Sequence, residues 1–443
     1  MGCRRDSRIR FTRSSGVTLV RRCLPLLCLA LVACAEEAAG PQFANDPMPT
    51  RAATLSALPG SPVPLPTTAA LATPVAATPA SIADLLAARG APTRVFTVVG
   101  NAIWAIDSDG EATRIFQAPA GTRIVSFDAA PGGEQVAALL QSGASGSLRS
   151  ELTILDIGGR ITARTNEFDA VLASATPTAS GNQGQTIDWS PQGDRILISL
   201  PNGTLLGWSV AATEPPAVLA EPTAGGTIVT PEWAPTGEAI AFISAAADER
   251  SRILKRLNVG DGSVGDIVDP LAGRFVVDFA WMPDGNALLF TEGGELGGAV
   301  TGIDLWRVDA DGANRELVVS AGTVAPVARI TNMQPSPDGR SVAYSVLIPG
   351  SAGPRVDSVW VRDISTGLGF RISMPSVAAI AAIWWTDQGL AIDVRTGEPR
   401  SEQGLSQAIL GVKRDGTVDV LWAAPVAQAT PVGGTPIAPA IQG

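Results

Sequence analysis

The 443-residue chain contains no histidine. That absence removes Ser-His-Asp and Cys-His nucleophilic arrangements, His-ligated zinc and His general bases in one step, leaving carboxylates, Arg and the single tyrosine, Tyr344, for any chemistry. Its four cysteines, Cys3, Cys23, Cys28 and Cys34, all fall within the first 34 residues, so the rest of the chain has neither a disulfide nor a thiol nucleophile. Aromatics are modest at 5%. The apolar run Leu24 to Ala33 is ten residues long, too short to cross a bilayer as a permanent helix. No cofactor and no metal site is expected.

What is present begins with that run. Seven arginines between Arg4 and Arg22 precede it and Cys34 follows it, which predicts a secretory signal peptide over 1–33. Leu31-Val32-Ala33-Cys34 resembles the bacterial lipobox, and that resemblance implies cleavage before Cys34 and lipidation of its thiol. A diacylglycerol and an amide-linked acyl chain would supply the two signals that stable membrane attachment requires. Loss of 1–33 removes seven Arg and one Asp from the 32 basic and 42 acidic residues, leaving a net charge of −16. Such a chain suits neither nucleic acid nor anionic head groups, so contact with the membrane is expected through the lipid alone.

Residues 34–90 read as a tether, rich in Pro, Ala and Thr and without a sustained period. It spans roughly 40 Å r.m.s.. At its end, Ser81 to Gly90 predicts one short helix with Ser81 as N-cap.

From residue 91 to 425 the texture changes to short alternating strands. A phrase recurs: Asp188-Trp189-Ser190-Pro191-Gln192-Gly193, Glu232-Trp233-Ala234-Pro235-Thr236-Gly237, Ala280-Trp281-Met282-Pro283-Asp284-Gly285 and Gln334-Pro335-Ser336-Pro337-Asp338-Gly339, with weaker copies at Phe127 to Gly133 and Trp384 to Gly389. Pro presets φ for the turn, Gly accepts the left-handed conformation, and Trp fills space between sheets. Anchor positions 131, 191, 235, 283, 337 and 386 are 44 to 60 residues apart, room for four strands per unit.

This phrase resembles that of the TolB-like β-propeller repeat family, over about residues 93 to 425. The expected fold is therefore all-β, a β-propeller of four-stranded antiparallel blades, seven favoured and six the alternative, with 426–443 a flexible tail. The innermost strand of the first unit must then come from a terminal segment. The resemblance implies an envelope interaction module and names no ligand.

Asp107-Ser108-Asp109-Gly110 and Asp309-Ala310-Asp311-Gly312 look like fragments of calcium loops but lack the further acidic ligands, and read as turns. Trp104, Trp189, Trp208, Trp233, Trp281, Trp306, Trp360 and Trp384 are phased with the repeat and read as packing residues, whereas Trp385 and Trp422 are less clearly phased. Connections between first and second strands, and between third and fourth, are tight. Those between second and third are long, and in a four-stranded blade they emerge together on one face. They carry the candidate binding residues Arg149, Asp248, Arg250, Arg252, Glu292, Glu295, Arg355, Asp357, Arg395 and Arg400. Their mixed signs suit a protein or peptide of the cell envelope. A carboxylate-based enzyme acting on polysaccharide at the ring centre and a small-ligand sensor are the alternatives.

Overall fold

The computed structural model describes residues 81 to 424 except 88–89, 144–148, 167–185, 201, 212–213, 223–225, 247–250, 271–272, 297–298, 322–327, 351–352, 375–376 and 397–405. The expected signal peptide, Cys34, the tether, the tail and the innermost strand of the first unit lie outside the described residues.

Every described meander is built from consecutive antiparallel strands, as short alternating segments joined by tight turns dictate. The first has three, β1 (Arg94–Val99), β2 (Ala102–Asp107) and β3 (Ala112–Gln117). Three four-stranded meanders follow: β4 (Thr122–Ala129), β5 (Gln135–Ser142), β6 (Arg149–Asp156) and β7 (Ile161–Thr165); β8 (Thr186–Trp189), β9 (Arg195–Ser199), β10 (Leu205–Ser209) and β11 (Ala217–Ala220); β12 (Thr227–Trp233), β13 (Ala239–Ala245), β14 (Arg252–Asn258) and β15 (Val264–Val268). Then come β16 (Arg274–Trp281), β17 (Ala287–Leu296), β18 (Ala299–Asp309) and β19 (Glu316–Val319), and β20 (Arg329–Pro335), β21 (Ser341–Gly350), β22 (Gly353–Asp363) and β23 (Gly369–Ser373). The last meander is β24 (Val377–Thr386), β25 (Gly389–Thr396), β26 (Ser406–Lys413) and β27 (Val418–Ala423).

The blade count differs from expectation. Among the described residues there are five sheets of four or more strands, not seven or six blades. A parallel bridge between Ile303 of β18 and Arg329 of β20 fuses two meanders into one eight-stranded sheet, and β1 to β3 stop at three strands.

First strands of successive meanders pack side by side, β4 on β8, β8 on β12, β12 on β16, β16 on β20 and β20 on β24, and β1 packs on β24. They form the inner wall of the ring. The phrase Trp pins three seams: Nε1 of Trp189, Trp281 and Trp385 donates to the carbonyl of Asp128, Glu232 and Gln334 on the preceding first strand, at 3.2, 3.3 and 3.0 Å, whereas Trp233 Nε1 has no partner among the described residues and Pro335 stands in place of Trp. Trp385, not Trp384, therefore holds the repeat position in the last copy. Its turn is two residues shorter, pairing Trp385 with Leu390, whereas Trp281 pairs with Leu288. Trp384 packs instead at the junction with the first sheet, beside Trp422, whose ring lies 5.5 Å from that of Trp104.

The Asp-x-Asp-Gly segments are hairpin turns. Asp109 and Asp311 accept the N–H of Glu111 and Ala313 at 3.1 and 2.9 Å, which stabilises the turn from within. Gly110, with φ of +90°, presses on the last sheet, where a Cβ would sit 2.5 Å from the Leu421 carbonyl oxygen. We expect Gly110→Ala to cost about 2 kcal/mol or more. Gly262→Ala, also left-handed but with nothing within 4 Å, should cost about 1 kcal/mol. Equal losses of urea stability in the two variants would refute the close approach as the cause.

Helix α1 (Ile82–Leu86) starts as its sequence predicts, with Ser81 as N-cap, its Oγ accepting from Asp84 N at 3.1 Å while the Asp84 carboxylate accepts from Ser81 N at 3.2 Å. This is a capping box. The helix is shorter than expected and ends at Ala87 rather than at Gly90. Its Leu85 and Leu86 are buried in the core shared by the last two meanders, Leu86 at 0% exposure.

Candidate functional site

Two regions carry polar groups beyond what the sheets require. The first is the face formed by the second-to-third-strand connections. Arg149 opens β6, Arg252 opens β14, Arg355 and Asp357 lie near the start of β22, and Arg395 lies near the end of β25. Pairing of Arg149 with Ser142, Arg252 with Ala245, Arg355 with Ile348 and Arg395 with Gln407 puts all of them at the same end of their hairpins. They come from different meanders, so they share a face without forming one cluster. Arg149, Arg355 and Arg395 are exposed and have no ion-pair partner among the described residues. Asp357 is half-buried and binds Arg371 at 2.8 Å and the Ser358 hydroxyl at 2.9 Å. Burial pushes its carboxyl up, but these two partners outweigh burial and hold it below the usual range.

Two expectations for this face fail. The connections at 291–303 and 347–357 are largely strand, because β17 runs to Leu296 and meets β18 at Ala299, and β21 runs to Gly350 and meets β22 at Gly353. Strand pairing continues out to Leu296 with Ala299 and Gly350 with Gly353. Glu292 consequently lies inside β17 with 0% exposure, paired with Arg274 at 3.5 Å and with Arg315. Arg315 also stacks over Trp306 and Phe290, at 4.3 and 5.1 Å from the ring centroids. Glu292 is thus a core ion pair, not a surface ligand, since a buried carboxylate must be paired. Glu295 belongs to β17 as backbone. Asp248, Arg250 and Arg400 lie outside the described residues.

The second region is the inner wall, and the sequence reading missed it. Asp128, Asp188, Glu232 and Asp278 occupy four consecutive first strands. The Asp128 carboxylate accepts the backbone N–H of Trp189 and the Asp188 carboxylate that of Trp233, both at 2.7 Å. Glu232 does the same for Trp281 and Asp278 for Asn332. These N–H groups lie on the exposed edge of a first strand, where the sheet itself offers no acceptor. Bulges just before Glu232 and Asp278 set which residues face the seam.

Each carboxylate is half-buried at the wall, yet protein crowds it and no cation among the described residues forms an ion pair with it. Burial pushes Asp128 and Asp278 up to about 6. Burial, then repulsion from Asp278 and Asp128, pushes Glu232 up to about 8. Asp188, pressed by burial and by Asp128 and Glu232 on either side, rises well above the ordinary carboxylate range. The signal was legible, because Asp128, Asp188 and Glu232 each directly precede the phrase's Trp position.

No family model and no curated protein matches the chain. Solved structures do. An oligogalacturonate lyase in complex with manganese superposes with a TM-score of 0.50 at 16% identity, over 74% of this chain and 84% of that one. The chain is a β-propeller. A prolyl endopeptidase gives 0.50 at 11% identity over 77% of this chain, which spans only 51% of that protein's length. TolB from Acinetobacter baumannii gives 0.41 at 15% identity over 73% and 77% of the two chains. At such identities the likeness is one of fold. Among the described residues of this propeller no helix is long and apolar enough to cross a membrane.

Proposed function

We propose that this propeller is a lipid-anchored, extracytoplasmic scaffold that binds a protein or peptide of the cell envelope through its long-connection face, without catalysis. The observation that carries the reading is the set of exposed arginines, Arg149, Arg355 and Arg395, at one end of the hairpins and without ion-pair partners among the described residues. Unpaired arginine on a rigid support forms charge-assisted contacts at little ordering cost. The carboxylates of the inner wall, by contrast, already hold backbone N–H groups across the seams.

The test is photocrosslinking in cells from position 355 and, as control, from position 238, exposed in the β12–β13 turn on the opposite face. Capture of one envelope protein from 355 and not from 238 is the expected result; capture from 238 alone would sink the face assignment. Anchoring is tested separately. Wild type should partition into detergent, and Cys34→Ala should move to the aqueous phase.

The fold shared with an oligogalacturonate lyase, together with acids raised on the inner wall, supports a second reading, a carboxylate-based enzyme acting on polysaccharide. Release of oligosaccharides from polygalacturonate that disappears in Glu232→Gln would establish it over the scaffold reading.

A further inference from the structure

The face of tight turns is not plain. At three seams the short turn between a meander's third and fourth strands reaches the preceding meander, and its glycine closes the gap. Gly110 seats on Leu421 of β27 and Gly312 on Ile267 of β15, where a Cβ would come within 2.5 and 2.8 Å of a carbonyl oxygen. Gly159 seats in the same way on Ile115 of β3.

The last two meanders are joined differently. There the turn glycine is Gly416, and what it meets is Ile82 of α1. Helix α1 packs on β22 and β23, the third and fourth strands of the preceding meander, and drives Leu85 and Leu86 into the shared core. Asp84 is held low mainly by its Ser81 hydrogen bonds and, weakly, by Arg340. The helix therefore acts as the filler of a seam whose own turn does not reach.

One repeat earlier the same seam is open. Gly367, like Gly262, meets nothing within 4 Å. A cavity of about 670 Å³ lies over the seam between β16 to β19 and β20 to β23, and Arg307, Arg340, Met282 and Ile364 line it. Part of its wall matches what holds α1, shifted by one repeat: Arg307 and Glu316 on the third and fourth strands of one meander and the third-to-fourth turn at 363–365 of the next; the first-to-second turns of both meanders, at 282–284 and 337–340, complete it. The size falls within the range of about 300–1,000 Å³ typical of binding clefts. Four carboxylates lie in the wall and all are engaged: Asp338 and Asp363 cap their own turns, Asp284 accepts from Asn286, and Glu316 pairs with Arg307 at 3.1 Å. The exposed Arg340 guanidinium makes no hydrogen bond or ion pair with a described residue; it draws weakly on Asp84 of α1 and also lines this groove, where it can meet an incoming carboxylate.

We propose that this groove is a docking site for a short amphipathic helix of a partner protein, one that presents two adjacent aliphatic side chains and a first-turn acid as α1 does. The partner helix repeats, one blade earlier, the contact that α1 makes within the chain. This is the helix-in-groove mode of recognition. The site lies on the face opposite the arginine-bearing connections, so it stands whether or not that face binds a partner.

The probe is a fluorescein-labelled peptide with the sequence of residues 78–90, titrated into the full chain and followed by anisotropy. Saturable binding is expected. It should weaken at least ~10-fold when Ser365→Trp fills the groove, and equally when Leu85→Ser and Leu86→Ser are placed in the peptide. Ile364→Lys serves in place of Ser365→Trp if the tryptophan variant loses the wild-type urea midpoint. A photoreactive group at position 83 of the peptide should mark the segments around Pro337 and Ile364. The proposal is overturned by no saturation up to about 1 mM, by unchanged binding to both groove variants, or by adducts around Gly416, which would mean displacement of α1. A concentration-dependent dimer exchanging its own α1 would also overturn it, since the occupant would then be a second copy.

Discussion

Trp281→Ala should lower the unfolding free energy by about 3–5 kcal/mol, the usual cost of removing a large aromatic side chain from a packed core. Trp281 is 5% exposed, lies in the core between β12 to β15 and β16 to β19, and donates its indole N–H across the seam to the Glu232 carbonyl. The cavity would open between blades rather than within one, so relaxation would require a whole sheet to shift. Trp281→Phe keeps part of the packing and loses the seam hydrogen bond. It should cost about half as much. Urea unfolding of the three proteins reads both values. A loss below about 1 kcal/mol for the alanine variant would show that the seam does not depend on this side chain.

The pH dependence should run opposite to ordinary acid denaturation. Asp128, Asp188, Glu232 and Asp278 all titrate above their unfolded values, so between about pH 4 and 8 the native state binds more protons than the unfolded chain. Stability then falls as pH rises. The stabilisation is fully present below the unfolded carboxylate values, is lost first through about 6 for Asp128 and Asp278, and is lost further through about 8 for Glu232. Groups held low, such as Asp156 and Asp363, act in the other direction only as pH falls through their depressed native values. The urea midpoint of the wild type should therefore decline from pH 5 to pH 9. Glu232→Gln should flatten the upper half of that decline and exceed the wild type at pH 9. A wild-type midpoint that rises across this window, or a variant with an unchanged slope, would contradict the placement of these acids.

Both effects converge on the same strip of the molecule, the edge-to-edge contact of first strands. In an isolated sheet that edge would present unpaired N–H groups. Here an acid on one blade and a tryptophan on the next satisfy it from both sides, as Asp128 and Trp189 do. Acid and Trp are neighbours in the chain at Asp188-Trp189 and Glu232-Trp233, and the acid half of the device recurs on four consecutive first strands. Its Asp or Glu is spent on backbone N–H groups, which bears directly on how much of it a substrate could use.

Much of the fold was legible because the determinants are local. Turn chemistry of Pro and Gly, a two-residue alternation behind it and the recurring Trp all act within about ten residues, and the observed strands follow them. The Asp-x-Asp-Gly turns and the Ser81 cap were readable for the same reason. The site was less legible. Arg149, Arg355 and Arg395 lie where strand counting placed them, but Glu292 does not, since an acid in a stretch taken for a loop looks the same in sequence whether the ladder continues or stops. Arg274 and Arg315, the cations that permit its burial, are 18 and 23 residues away.

The amino-acid sequence by itself determined the repeat, the antiparallel meander within each unit and the exclusion of histidine chemistry, because each follows from residue types at short separation. Tertiary structure alone decided how the units meet: the bridge that fuses two meanders, Trp385 rather than Trp384 at the last seam, the acids raised along the inner wall, and a helix filling one inter-blade groove while its neighbour stands open. These depend on contacts between segments tens to hundreds of residues apart, as between Thr97 and Asp393. Burial and close approach across such distances are properties of the packed ring, and a linear pattern does not encode them.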